Sequence, residues 1–246
     1  MQNDTSNTKV LLYSGGLDSW LISKLWKPDV RVYVDIHGGY SAIERRRLPD
    51  DVIVVDFPLL GDFELPNKFV PLRNLYFLMI GSHYGNEICL GATAGDWGNK
   101  DKTPEFLQEA GKLLGYLWTD KKATKPVSVC QDFVRVPKSE LIVRYLQQGG
   151  TIDELRRDTF SCYTPDENGR ECFACYPCFR KFALLYAHGA QYTEAERRKM
   201  WNYVRAQIIP TKEEGGYAGT YYTDRGDESR DLIYAVEQLK KEFGND

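Results

Sequence analysis

No stretch of this 246-residue chain approaches the roughly 20 consecutive apolar residues that cross a membrane. The opening residues, Met1 to Val10, are polar and lack the apolar run of a secretory leader, which predicts a cytoplasmic protein. Positive charge is not in excess. Lys and Arg number 32 against 35 Asp and Glu, a net charge of −3 and a pI near 5.8. A dominant basic surface for DNA or RNA is therefore not expected. The Walker pattern GxxxxGK[ST] is absent, and so are internal repeats and low-complexity tracts. At 42% hydrophobic and 27% charged residues, the composition is that of an ordinary globular protein. The length suits a single α/β domain.

Against this background the chain reads as strands alternating with helices. Val10–Tyr13, Val30–Ile36, Val52–Phe57, Glu87–Leu90 and Val127–Val129 are apolar or β-branched strand candidates. Helical spacing or length marks Asp18–Trp26, Leu72–Tyr84, Pro104–Trp118 and Lys138–Gln147. Such alternation predicts an α/β fold, a parallel sheet with helices on both faces. From about Asp158 the character changes to a cysteine-rich segment. Helical stretches near Phe179–His188 and Glu194–Ile208 follow, then a glycine- and tyrosine-rich loop over Pro210–Asp227, and a closing amphipathic helix, roughly Glu228–Phe243. The expected organisation is residues 1–157 as one domain, 158–190 as a cysteine segment and 191–246 as a helical extension.

The first strand runs into Ser14-Gly15-Gly16-Leu17-Asp18-Ser19 and a helix follows at once. Glycines remove the Cβ atoms that would hold a phosphate away from the backbone. Successive N–H groups and the helix N-terminus then offer an anion site. Ser14 and Ser19 add hydroxyl donors, and Asp18 is suited to capping the helix or holding Mg²⁺ beside phosphates.

Cys162, Cys172, Cys175 and Cys178 form a second motif, the last three spaced Cys-x2-Cys-x2-Cys. In a cytosolic chain, clustered cysteines point to metal or redox chemistry before disulfides. Four thiolates converging on one ion suit a structural Zn²⁺, with an iron–sulfur cluster as the main rival and disulfides a weaker option. Cys89 and Cys130 lie in apolar strand candidates and read as core residues.

The glycine turn resembles the PP-loop of the N-type ATP pyrophosphatases, which cleave ATP to AMP and pyrophosphate while adenylating a substrate. Turn and cysteines in this order resemble, more narrowly, the 7-cyano-7-deazaguanine synthase family, as a divergent member. Phe69-Val70-Pro71-Leu72-Arg73-Asn74, Gly91 with Asp96, Pro137-Lys138-Ser139-Glu140 and Thr159-Phe160-Ser161-Cys162-Tyr163 carry the resemblance further, over roughly residues 9–185. It implies adenylation of 7-carboxy-7-deazaguanine by ATP, displacement of AMP by ammonia to give an amide, and a second adenylation that yields the nitrile. It also implies Mg²⁺ and Zn²⁺, a small-molecule substrate and a homodimer. Tyr13, Ser14, Gly15, Gly16, Leu17, Asp18 and Ser19 would hold ATP. Asp18, Arg73, Asp96 and Lys138 would be catalytic, and Arg73, Asn74, Asp96 and Asp101 would bind the substrate. The metal ligands would be Cys162, Cys172, Cys175 and Cys178.

The chain also departs from that pattern. Leu72 replaces a glycine and Ala94 an acidic residue, and Asn99-Lys100-Asp101-Lys102-Thr103 stands where the family has Tyr-Pro-Asp-Cys-Arg. Asp101 can still pair with a guanine-like edge, although the arginine is absent. His37-Gly38-Gly39-Tyr40 takes the place of a Gln-Arg-His, leaving His37 as an acid–base candidate. A divergent branch, such as one encoded by a phage and acting in the host cytoplasm, fits these features. The alternatives are chemistry that stops at the amide, and adenylation of a protein or peptide carboxylate or of a tRNA base. Mild acidity disfavours the tRNA option.

Overall fold

In this computed structural model, residues 7–66, 69–120, 123–210 and 227–244 are described. The chain divides into two units, Met1–Val136 and Pro137–Asp246.

The first unit runs β1 (Lys9–Leu12), α1 (Leu17–Trp26), β2 (Val30–Asp35), α2 (Ser41–Arg45), β3 (Val52–Asp56), α3 (Arg73–Gly81), β4 (Glu87–Leu90), α4 (Pro104–Leu117), β5 (Thr119–Asp120), β6 (Ala123–Thr124) and β7 (Ser128–Val129). Five strands form one parallel sheet in the order β3-β2-β1-β4-β7, while β5 and β6 make a separate antiparallel pair. The β-branched runs of β2 and β3 are what a sheet covered on both sides selects. Strand alternation sends Val10, Leu12, Val32, Val34, Ile88 and Leu90 into one core with Leu78 of α3 and Leu107, Ala110 and Leu114 of α4. Leu11, between two of them, faces the other side, where α1 buries Leu21 and Ile22. The chain runs from β1 outward to β2 and β3 and then returns past β1 to β4 and β7, and α1 lies on one face while α3 and α4 lie on the other, so helices cover both faces as the alternation predicted.

This order creates a switch point between β1 and β4, the place where open α/β sheets bind ligands beyond the carboxyl ends of their strands. The turn after β1 and the loop after β4 both emerge there. Gly91 shows how close they come: a Cβ built on it would lie 3.5 Å from the Ser19 Cβ. The helix α4 begins where it does because Thr103 accepts a hydrogen bond from the Phe106 N–H and Pro104 needs no partner.

Leu72, at the head of α3, adopts φ +61°, the left-handed region that costs a non-glycine residue about 1–2 kcal/mol. Its side chain is 60% exposed, so little burial offsets that cost. The glycine of the related pattern is thus the residue this backbone prefers. Leu72→Gly is expected to stabilise the protein by about 0.5–1 kcal/mol after glycine's own entropy is charged, raising Tm by roughly 2–4 °C. A thermal melt checks this, and a lowered Tm would show that the side chain packs more tightly than its exposure indicates.

The second unit contains α5 (Lys138–Gln147), α6 (Ile152–Asp158), α7 (Tyr176–Ala187), α8 (Glu194–Tyr203), a π-helical turn (Val204–Ile208) and α9 (Asp227–Phe243). Capping boxes start α6 at Thr151–Glu154 and α8 at Thr193–Glu196. Helix α7 packs against α9, burying Phe179 and Phe182 on one side and Leu232, Ala235 and Leu239 on the other. Arg180 and Glu228 join the two helices by a buried ion pair of 3.2 Å. The loop expected over Pro210–Asp227 lies outside the described residues apart from its two ends. Among the described residues, no helix is long and apolar enough to cross a membrane.

Candidate active site and metal centre

The turn after β1 is tied together by its serines. Ser19 Oγ accepts from the Ser14 N–H at 3.3 Å, lies 3.4 Å from Ser14 Oγ, and donates to the Gly16 carbonyl at 3.2 Å. Gly15 has φ +74°, a conformation open to glycine and strained for L side chains. Gly16 caps α1 with no side-chain hydrogen bond to the N–H groups of the first turn. An anion in the bend meets those N–H groups, the Ser14 hydroxyl and the helix dipole. Tyr13 and Leu17 are buried, leaving their main chain to line the turn. The acid of the first turn is Asp18.

Arg73 and Asn74 open α3 on the same edge of the sheet, the side to which β3 leads. Arg73 Nε is buried and has no hydrogen-bond partner among the described residues, while its guanidinium carbon lies 5.9 Å from the Phe77 ring centroid. A desolvated N–H without an acceptor is costly unless a ligand supplies one. Buried Asn74 donates through Nδ2 to the Asp101 carbonyl at 3.3 Å, which fastens the Lys100–Lys102 turn to α3. Asp96 is buried, and its Oδ2 accepts from the Thr93 N–H at 3.3 Å and Oγ1 at 3.1 Å. That carboxylate thereby shapes the loop after β4.

Several groups on this edge, which also carries His37, escaped the sequence reading. Asp35 and Asp56 end the paired strands β2 and β3 in register. Arg45 of α2 donates to both, at 2.9 and 2.7 Å, and His37 Nε2 lies 3.2 Å from Asp56. Hydrogen bonds from His37 and Arg45 hold the Asp56 carboxyl below the usual range. Asp35, His37 and Asp56 lie close enough to share an ion, yet the Arg45 guanidinium already bonds both acids, so the group is an ion-pair network. Beside it, the Tyr33 hydroxyl donates to Glu44 Oε2 at 2.9 Å. Burial pushes the Glu44 carboxyl up, against that hydrogen bond and the charge of Arg73. Strand-terminal acids were the visible signal; their partner on a five-residue helix carried none.

In the second unit the four thiols converge. The sulfurs of Cys162, Cys172, Cys175 and Cys178 all lie within 4.8 Å of one another, with Cys172 and Cys178 4.0 Å apart. Four thiolates about 2.3 Å from one Zn²⁺ would sit about 3.8 Å apart, so the spacing fits. Main-chain N–H groups point at the sulfurs: Cys172 N–H to Cys162 Sγ at 3.4 Å, and Ala174 N–H to Cys172 Sγ at 3.3 Å. Phe173 at φ +54° makes the knuckle between Cys172 and Cys175. The Asp166–Arg170 turn, bonded through Asp166 N–H to the Arg170 carbonyl at 2.9 Å, folds the intervening loop back. Cys175 caps α7 and Cys178 lies in its first turn. A hydrogen bond from Cys178 brings Cys175 down to about 5, while the same bond and burial drive Cys178 up. The cluster could hold a metal ion such as zinc.

Lys181, one turn beyond Cys178, braces this loop. Its buried ammonium donates to Glu171 at 3.0 Å and to the Thr159 carbonyl at 2.6 Å, and Glu171 accepts from the Ser161 N–H at 2.9 Å. The cysteine-bearing segments on either side of the turn are thus held by one charge pair. Lys138 is the buried first residue of α5 in this unit.

A parallel sheet with a glycine turn at its switch point, followed in the same chain by a four-thiol cluster, defines an α/β protein of the PP-loop class with a four-cysteine helical segment. The family model described as "Queuosine biosynthesis protein QueC" matches residues 33–187, which include the whole cysteine cluster, and the chain belongs to that family. A curated protein of Nitrosococcus oceani named 7-cyano-7-deazaguanine synthase is 26% identical over 212 residues, 72% of this chain and 93% of that one. One of the same name from Citrifermentans bemidjiense is 25% identical over 203 residues, 69% and 88% of the two chains. Identity this low marks a divergent member. No solved structure matches the chain.

Proposed function

We propose that the chain is an ATP-dependent synthase that converts 7-carboxy-7-deazaguanine and ammonia into 7-cyano-7-deazaguanine. The observation that carries this reading is the serine-braced glycine turn at the sheet's switch point, in a chain whose family relatives bear that synthase name. A substrate carboxylate oxygen attacks the α-phosphorus of ATP and pyrophosphate leaves. Ammonia then attacks the acyl carbon, AMP departs and the amide forms. In the second round the amide oxygen attacks the α-phosphorus of another ATP and pyrophosphate leaves, after which loss of AMP and protons gives the nitrile.

Residues 1–157 carry the ATP chemistry in this reading. The N–H groups of Ser14–Ser19 and the hydroxyls of Ser14 and Ser19 grip the departing pyrophosphate. Tyr13 and Leu17 set the course of the main chain. Asp18 holds the Mg²⁺ that neutralises phosphate charge. Lys138 is assigned to the phosphates, as the resemblance implies. Arg73, with its unpaired Nε, takes a substrate or phosphate oxygen; Asp96 and Asn74 shape the substrate loop; Asp101 pairs with the N1–H and amino edge of the base. Cys162, Cys172, Cys175 and Cys178 hold a structural zinc in residues 158–190, and 191–246 is a helical extension. The enzyme acts as a cytoplasmic homodimer on a small molecule.

The test is AMP release by purified protein given ATP, Mg²⁺, ammonium and the carboxydeazaguanine. AMP is expected only when that acid is present. Equal AMP release with a peptide carboxylate or a tRNA in its place would transfer the chemistry to another acceptor.

A further inference from the structure

The segment where the chain leaves its family's pattern also holds a large side chain with no role so far. Trp97 follows buried Asp96 and keeps 43% of its surface exposed. Its Nε1–H donates to the Val134 carbonyl at 2.8 Å, and the Arg135 guanidinium lies 6.0 Å from the ring centroid. The polar handle of the indole is therefore spent on the main chain, and the ring stands as a fixed apolar plate.

Its place in the fold gives that plate a use. The loop that carries it starts at Gly91, beside Ser19 of the phosphate turn. It is tied at its far end to Asn74 through the Asp101 carbonyl. Trp97 thus sits between two anchors on the carboxyl edge of the sheet, where α/β proteins of this topology take their ligands. Asp101 offers hydrogen bonds to the edge of a ring. Nothing assigned above offers a surface to its face.

We propose that Trp97 is the stacking platform for the planar heteroaromatic ring of the substrate, steadied by Val134 and Arg135. The inference rests on the function proposed above and deepens it by naming a specificity residue. Stacking on an aromatic side chain tolerates changes at the ring edge, because every such ring presents a π face. A loop that offers the Asp101 carboxylate to a ring edge, and no arginine, can hold its substrate in this way.

Trp97→Ala is expected to raise KM for carboxydeazaguanine about tenfold or more, within the range stacking supplies. KM for ATP and kcat should stay within about twofold, with Tm and bound metal unchanged. Trp97→Phe keeps a stacking face and lacks the Nε1–H, so recovery of KM in that variant separates stacking from anchoring of the loop. An unchanged KM for the acid in Trp97→Ala, with the wild type active, would overturn this inference and leave the functional reading standing. Equal impairment of Trp97→Phe and Trp97→Ala, or a matching rise in KM for ATP, would also overturn it. AMP release by the wild type only with a non-aromatic carboxylate would overturn both.

Discussion

Cys178→Ser is expected to strip the metal from the protein and lower Tm by at least about 10 °C. Cys178 lies in the first turn of α7, and the next residues of that helix, Phe179 and Phe182, form the core with α9. Loss of the ligand therefore loosens the helix on which that core is built. Metal at a closed four-thiolate site contributes on the order of 10 kcal/mol to folding in small domains. Whole-domain stability is only about 5–15 kcal/mol. Losing even a third of the metal's contribution shifts Tm by roughly the stated amount in a chain of this size. Metal content per chain and a thermal melt provide the check. Cys89 in β4 and Cys130 just after β7, both buried, supply the control: Cys89→Ala should leave the metal content unchanged. Full retention of metal in Cys178→Ser would remove that thiol from the ligand set.

Asp18→Ala is expected to reduce AMP formation at least about a hundredfold while leaving metal content and Tm nearly intact. The two effects separate because they have different sources. In the first turn of α1, an aspartate contributes about 0.3–1 kcal/mol through the helix dipole, and alanine returns part of that through helix propensity. In the proposed reaction, loss of the carboxylate that would hold Mg²⁺ takes a cation from the departing pyrophosphate, an effect worth several kcal/mol. A quenched assay of AMP over time reads the difference. Turnover equal to the wild type would remove Asp18 from the chemistry.

Much of the fold was legible where its signals are local. The strand–turn–helix of Val10–Trp26 can be read from a short apolar run, two glycines and helical spacing. The amphipathic stretch Lys138–Gln147 matches α5 residue for residue. The cysteine spacing likewise foretold a convergent set, since ligands that close together in sequence need little help from the rest of the fold.

What was not legible depends on contacts between distant segments. Helix α2 is five residues long and too short for any periodicity, yet it brings Arg45 to Asp35 and Asp56. Those acids meet only through the register of β2 with β3. Lys181 reads in sequence as one more charge on a helix. It is buried because Glu171, across the cysteine loop, and the Thr159 carbonyl receive its ammonium. Leu72 gave a sign in its departure from a glycine, but the left-handed backbone that explains the sign is visible only in the fold.

The most direct measurement feeds carboxydeazaguanine, ATP, Mg²⁺ and ammonium to the purified protein, and follows AMP together with the mass of the product. Two AMP for each nitrile are expected, with the amide as a transient that the enzyme also accepts as substrate at one AMP per nitrile. One AMP and an amide that persists would place the chain's chemistry a step short. No AMP from this acid would contradict the assignment of the glycine turn and its neighbours to deazaguanine synthesis.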